Sequence, residues 1–266
     1  MRLLLHITYS RTIIKGGQTC EKSAETNKVI RVYLKTNPEQ HEAVLSGIRF
    51  VEFIECVPKI ENIMLLKGGF LAKKNWQKFE LVEGHDQLSQ LMLEDVCNYG
   101  DFCFVDYANA TSIEQIDDEQ IAELLYLSHM FKPLKSPFFE SLQNKYAYLA
   151  HDDGFYCKLY CKQQQLLVSI VVKKLERSVR VALGDNASPL PESLSEEIFK
   201  YSQEGILAEL DLSTIKKGII KKNDTAERLL LKLYTVGEYN DMDLLFNNFE
   251  KIRPQAFFEV DVGKVT

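Results

Sequence analysis

The sequence predicts an α+β fold with a mixed N-terminal α/β region, a central antiparallel β-meander over Tyr146–Leu183 and a helical C-terminal part. Three observations carry that reading. Up to about residue 110, short runs of branched and aromatic residues alternate with helix-start signals. From Tyr146 the apolar period changes to two, with Phe155, Cys157, Leu159 and Cys161 alternating against Tyr156, Lys158, Tyr160 and Lys162. Beyond the polar, proline-bearing stretch Gly184–Pro191, apolar residues return to helical spacing. Two subdomains are expected: 1–110, mixed α+β, and 111–266, comprising a helix, the meander and the C-terminal helices.

Taken in order, Arg2–Tyr9 and Lys28–Lys35 read as strands. Asn37-Pro38-Glu39 carries a capping side chain, proline at the first helical position and then an acid, which predicts a short helix to Ser46. Ile48–Val57 is apolar on both faces and reads as a central strand, and Ile60–Leu66 and Phe79–Glu83 as further strands. Leu88, Leu91, Met92 and Val96 predict a helix over Asp86–Tyr99, followed by a strand at Phe102–Tyr107. Asp117 and Asp118 open a helix to Phe131 whose apolar residues cover nearly all sides, so a buried helix is expected. Within the meander, Leu166–Lys173 and Ser178–Leu183 read as strands. After it, Leu194, Ile198 and Tyr201 make one helical stripe, Ala226–Tyr234 a second and Met242–Phe249 a third. No internal repeat is visible in the sequence.

Composition narrows the function classes. Hydrophobic residues make up 45% and charged residues 26% of 266, the balance of a globular chain. A net charge of −6 argues against a protein that binds nucleic acid with its whole surface. The densest basic run, Lys216–Lys222, could join Lys173, Lys174, Arg177 and Arg180 in a positive patch, but a solvated surface is the simpler reading. No apolar run reaches the ~18 residues of a membrane span, and the apolar part of MRLLLHITYSRTIIK is too short for a secretory signal. A cytoplasmic location with no membrane contact is therefore expected. The six cysteines are scattered without CxxC or zinc spacing, which favours free thiols.

Nucleotide-binding glycine patterns and the GxSxG elbow do not occur, and no cofactor is expected. The most suggestive polar cluster is His151-Asp152-Asp153-Gly154. Asp-Gly between two strand-like segments is a hairpin signal, because glycine takes the positive φ and aspartate tolerates the turn. Turn chemistry accounts for the aspartates and leaves His151 unexplained.

Two function classes follow. The first is a non-catalytic cytoplasmic interaction or regulatory protein, of the inhibitor, immunity or assembly-factor kind. It would bind a protein partner through a meander face carrying Tyr156, Lys158, Tyr160 and Lys162, since tyrosine combines contact area with a polar tip. The second is a metal-dependent hydrolase using His151, Asp152 and Asp153, with His129 brought in from the preceding helix.

Overall fold

In the computed structural model, the described residues run from 29 to 264, apart from 39, 47–49, 58–59, 68–78, 94–101, 128–134, 151–155, 185–186, 212–227, 240–243, 247–248, 250 and 252–253. The expected strand over Arg2–Tyr9 lies outside them. The chain has the α+β composition expected, and its organising element is one antiparallel sheet of ten strands in the order β10-β9-β8-β1-β2-β7-β6-β5-β3-β4. The strands are β1 (Val29–Thr36), β2 (His41–Ser46), β3 (Asn62–Lys67), β4 (Phe79–Glu83), β5 (Phe102–Asp106), β6 (Tyr146–Ala150), β7 (Tyr156–Cys161), β8 (Ile206–Asp211), β9 (Arg228–Thr235) and β10 (Phe258–Lys264).

Strands β1, β3, β4 and β5 fall where the branched and aromatic runs predict them, and β6 and β7 form the expected antiparallel hairpin with Tyr148 opposite Leu159. The predicted helix after Asn37 is instead a hairpin turn and β2. Asn37 Oδ1 does accept a backbone N–H, but that of Gln40 at 2.7 Å, so the same side-chain chemistry that caps a helix here closes a turn. Ile48–Val57, expected as a strand, contains helix α1 (Phe50–Cys56). Phe50, Phe53, Ile54 and Val57 are buried at helical spacing while Glu55 faces out.

The largest departure is α5 (Gln164–Leu183), a 20-residue helix where the last two meander strands were expected. Its stretch Val168–Val172, β-branched but for Ser169, has strand propensity. Yet Leu167, Ile170, Val171, Leu175, Val179 and Leu183 make one helical stripe that the sheet buries, and burial outweighs propensity. The C-terminal part is likewise not all helical. The stripe Leu194, Ile198 and Tyr201 belongs to α6 (Glu192–Tyr201), as predicted, and residues 244–246 are helical. Ile206–Asp211 and Arg228–Thr235 are strands, with Leu229, Leu231 and Leu233 facing one layer and Tyr234 the other. RLLLKLY satisfies either period, and only its two-sided burial distinguishes them.

Helix α2 (Gly84–Leu93) follows β4 as expected, and α3 (Ala110–Glu114) and α4 (Asp118–Leu127) lie between β5 and β6. Asp117 caps α4 by accepting from Gln120 N at 2.7 Å, and Gln120 Oε1 accepts the Asp117 amide in return. The helix is not buried all round: Leu124 and Leu127 are covered, while Ala122 and Tyr126 are exposed. The stretch Gly184–Pro191 is pinned rather than free, since Ala187 bridges Gly263 and Ser188 donates to Val262 O, both on β10.

Both faces of the sheet are covered. On one face, α1, α5 and α6 build a continuous core whose centre is the aromatic group Phe50, Phe53, Phe104 and Tyr148, with Phe53 and Tyr148 4.9 Å apart between ring centroids. The opposite face carries two separate cores. One joins Met64, Val105, Ala147 and Tyr160 to Leu124, Leu127 and the segment Phe138–Leu142. The other joins Tyr33, Val44, Leu207 and Tyr234 to Leu245, Phe246 and Phe249.

Candidate functional site at one end of the sheet

The alternation read in β7 is real, but its outward face is not a surface. Cys157, Leu159 and Cys161 enter the continuous core, and Tyr160 enters the core beneath α4 with only 1% of its area exposed. Burial, followed by the nearby Glu42 carboxylate, holds the Tyr160 phenol above its ordinary pKa. The expected docking face is thus corrected at Tyr160: a sheet covered on both sides leaves its aromatics as core. Lys158 is half-buried and Lys162 is exposed, while the Tyr156 side chain lies outside the described residues. His129, His151, Asp152 and Asp153 also lie outside them. Among the described residues no three His, Cys, Asp or Glu side chains converge as metal ligands do.

Of the cations expected beside the basic run, Lys173 and Arg180 are exposed on α5. Lys216–Lys222 lies outside the described residues, Lys174 is buried on α5, and Arg177 pairs with Glu55 of α1. Four cysteines, Cys56, Cys103, Cys157 and Cys161, are buried thiols outside any disulfide.

Register brings together residues far apart in the sequence. Thr36 opposes His41, His41 opposes Cys161, and Cys161 opposes Tyr146, so one cross-strand row runs over β1, β2, β7 and β6. Asp106 extends it from the end of β5. Its Oδ1 accepts the Tyr146 amide at 2.7 Å and the Lys145 amide at 3.0 Å, and its Oδ2 lies 3.1 Å from the same Lys145 nitrogen. Burial pushes the Asp106 carboxyl up to about 6, against the opposing pull of those amides and of the Lys145 charge. Burial also lowers the pKa of His41, whose Nδ1 is buried with no hydrogen-bond partner among the described residues. Burial, then the Asp106 charge, raises the Cys161 thiol, and burial raises the Tyr146 phenol. Each shift favours the neutral form. A thiol kept protonated and fully covered is a poor nucleophile, so this Cys–His–Asp row does not prepare thiolate chemistry.

Beside the row, Thr36 Oγ1 lies 3.0 Å from Ser202 Oγ, in the 3₁₀ turn Ser202–Glu204 that ends α6. Gln164, at the start of α5, donates to Ser202 Oγ and to Phe199 O, both at 2.9 Å. This network locks the end of α6 against β1 and α5. The locked end carries aromatic surface: the Tyr201 and Phe257 rings are 4.6 Å apart, and Lys200 Nζ lies 4.7 Å from the Tyr201 ring centre. Phe199 and Phe257 are 39% and 37% exposed. Sequence reasoning placed Tyr201 on the apolar stripe of α6 and passed over Phe199. The available signal was an aromatic residue standing off that stripe; Phe257 had no comparable signal.

A separate cleft of about 300 Å³ lies beside α4, lined by Asp117, Glu119, Gln120, Glu123, Lys135 and the residues 136–140 apart from Pro137. Lys135 spans it as an ion pair to Glu119 and, at 3.5 Å, to Glu123. Among the described residues no helix is long and apolar enough to cross a membrane. No protein-family model, no curated protein and no solved structure matches the chain.

Proposed function

We propose that the protein acts by binding a protein partner, without chemistry of its own, and that the docking surface is the aromatic end of α6 and β10 rather than the β7 face. The observation that carries this reading is Phe257, over a third exposed with its ring 4.6 Å from that of Tyr201 on a hydrogen-bonded base, together with Phe199, exposed to a similar degree near the same end of α6. Exposed aromatics held at low conformational cost are the usual anchors of protein interfaces. The protonated, covered Cys161 supports the non-catalytic half of the reading.

The test is the double change Phe199→Ala and Phe257→Ala. Both rings are partly solvated, so the melting temperature is expected to fall by only a few degrees. Immobilised wild-type protein should retain a partner from native lysate that the double variant binds at least tenfold more weakly, the loss of ~1.4 kcal/mol or more typical of aromatic anchors. Equal retention by both proteins would remove this surface from the proposal.

A further inference from the structure

The order of strands in the sheet carries an arrangement that the chain order hides. Residues 29–106 supply a hairpin, β1–β2, and a triplet, β5-β3-β4. Residues 146–264 supply a second hairpin, β6–β7, and a second triplet, β8-β9-β10. In neither half does the hairpin pair with its own triplet. The first hairpin instead pairs with the second triplet through β1 and β8, in register from Val29–Asp211 to Leu34–Ile206. The second hairpin pairs with the first triplet through β6 and β5, from Phe102–Ala150 to Val105–Ala147. The two hairpins meet at the centre, β2 against β7.

The covering layers repeat this plan. Each hairpin leads into a helix, α1 or α5, on the same face of the sheet, and these two helices touch through Glu55 and Arg177. On the other face each flank has its own core, one closed by α4 and Phe138–Leu142, the other by Leu245, Phe246 and Phe249. A half-turn about an axis through the β2–β7 pair interchanges the two sets of strand positions, α1 with α5, and the two cores of the opposite face. The order in which the chain visits the triplets differs, and α2, over β3 and β4, and α6, against α5, do not correspond.

We propose that residues 29–106 and 146–264 are two interlocked units of one design, each the obligate partner of the other, and that the covalent continuity of the connection over 107–145, whose Leu124, Leu127 and Leu142 pack on both units, is not what holds them together. The reason is geometric. In this sheet neither hairpin touches the triplet of its own unit, so a unit alone would keep only two unjoined pieces of it, and a lone hairpin is marginal in water. Each unit is completed only by strands that the other donates, through three ladders. Separation would expose the edges of β1, β2, β5, β6, β7 and β8 together.

The experiment cuts the connection in the intact protein. A protease recognition sequence is inserted between Gln115, which is exposed, and the half-buried Ile116, in the turn between α3 and α4, and the purified full-length protein is cleaved there. A second variant carries the insertion after Ala108, so that failure of one insertion to fold leaves the other. The cleaved fragments are expected to elute as one 1:1 particle in size-exclusion chromatography and to melt within a few degrees of the uncut protein. They should part only in denaturant, and remixing on its removal should restore the particle. Two independently folded fragments eluting apart, or unfolding on cleavage of a variant that was folded beforehand, would each overturn the proposal.

Discussion

Gly205 stands where no other residue fits. Its φ is +77°, and a Cβ there would lie 2.1 Å from the carbonyl oxygen of Gly237, while the amides of Val236 and Gly237 donate to Gly205 O. Gly205→Ala therefore meets both a forbidden backbone region and a backbone atom that cannot swing aside. It is expected to cost about 2–4 kcal/mol, read as a fall in the denaturant midpoint at unchanged slope. Asp106 is the residue whose charge state should be visible in solution. Its folded pKa, about 6, lies above the ordinary 3.8, so the folded state holds the proton more tightly than the unfolded chain does. The stability it contributes is complete below about 3.8 and is lost as pH rises through 6. Asp106→Asn keeps an oxygen for the Tyr146 and Lys145 amides and removes the titration. Its melting temperature relative to wild type should accordingly be most favourable above pH 7 and decline toward pH 4, a swing on the order of 2 kcal/mol. Parallel melting profiles for the two proteins over that range would show that Asp106 is not desolvated as described. His41 works in the opposite sense, since its lowered pKa makes acid unfavourable, and for that reason the comparison is made between variants rather than read from one profile.

At the scale of elements, the test case is β7. Period-two alternation in the sequence correctly separated Cys157, Leu159 and Cys161 from Tyr160, but alternation alone does not say whether the second face is wet. The two cores, one under α4 and one with Leu245, Phe246 and Phe249, decide that, and both are built from segments distant in the chain. Tyr160→Ala is therefore a core truncation, expected to cost about 3–5 kcal/mol by thermal or denaturant melting, whereas Lys162→Ala on the exposed turn beyond it should be nearly neutral. The same limit explains which elements were legible. Strands flanked by glycine or asparagine turns, such as β4 and β5, and the helix capped by Asp117 announce themselves locally. Ile48–Val57, Val168–Val172 and Arg228–Tyr234 do not, because a mainly apolar stretch broken only by single polar residues satisfies both periods until the partner layer is known. Asn37-Pro38 was misleading for a related reason: an asparagine oxygen caps a helix and closes a turn with the same bond. Of the candidate site, only Tyr201 was marked by its stripe. The cross-strand row of Thr36, His41, Cys161, Tyr146 and Asp106 exists only through register, which no local pattern encodes.

At the scale of the molecule, the absence of a visible sequence repeat and the two-fold plan of the sheet are compatible. What repeats is strand position and layer, and these are met by many sequences of the right period. The exchange of hairpins also fixes the order in which the molecule can be made. Arg31 and Glu209, joined at 2.9 Å across β1 and β8, are 178 residues apart in the chain. At the usual pace of synthesis, the first hairpin leaves the ribosome on the order of ten seconds or more before the strand that completes it. During that interval the outer edge of β1 has no native partner, and Val32 and Leu34, opposite Leu45 and Ala43 of β2, lack the part of their core that later segments supply. Newly made chains are thus most vulnerable to sticking together while half-built, and cellular holding factors that shield an open strand edge would matter more to the yield of this protein than to its stability once complete.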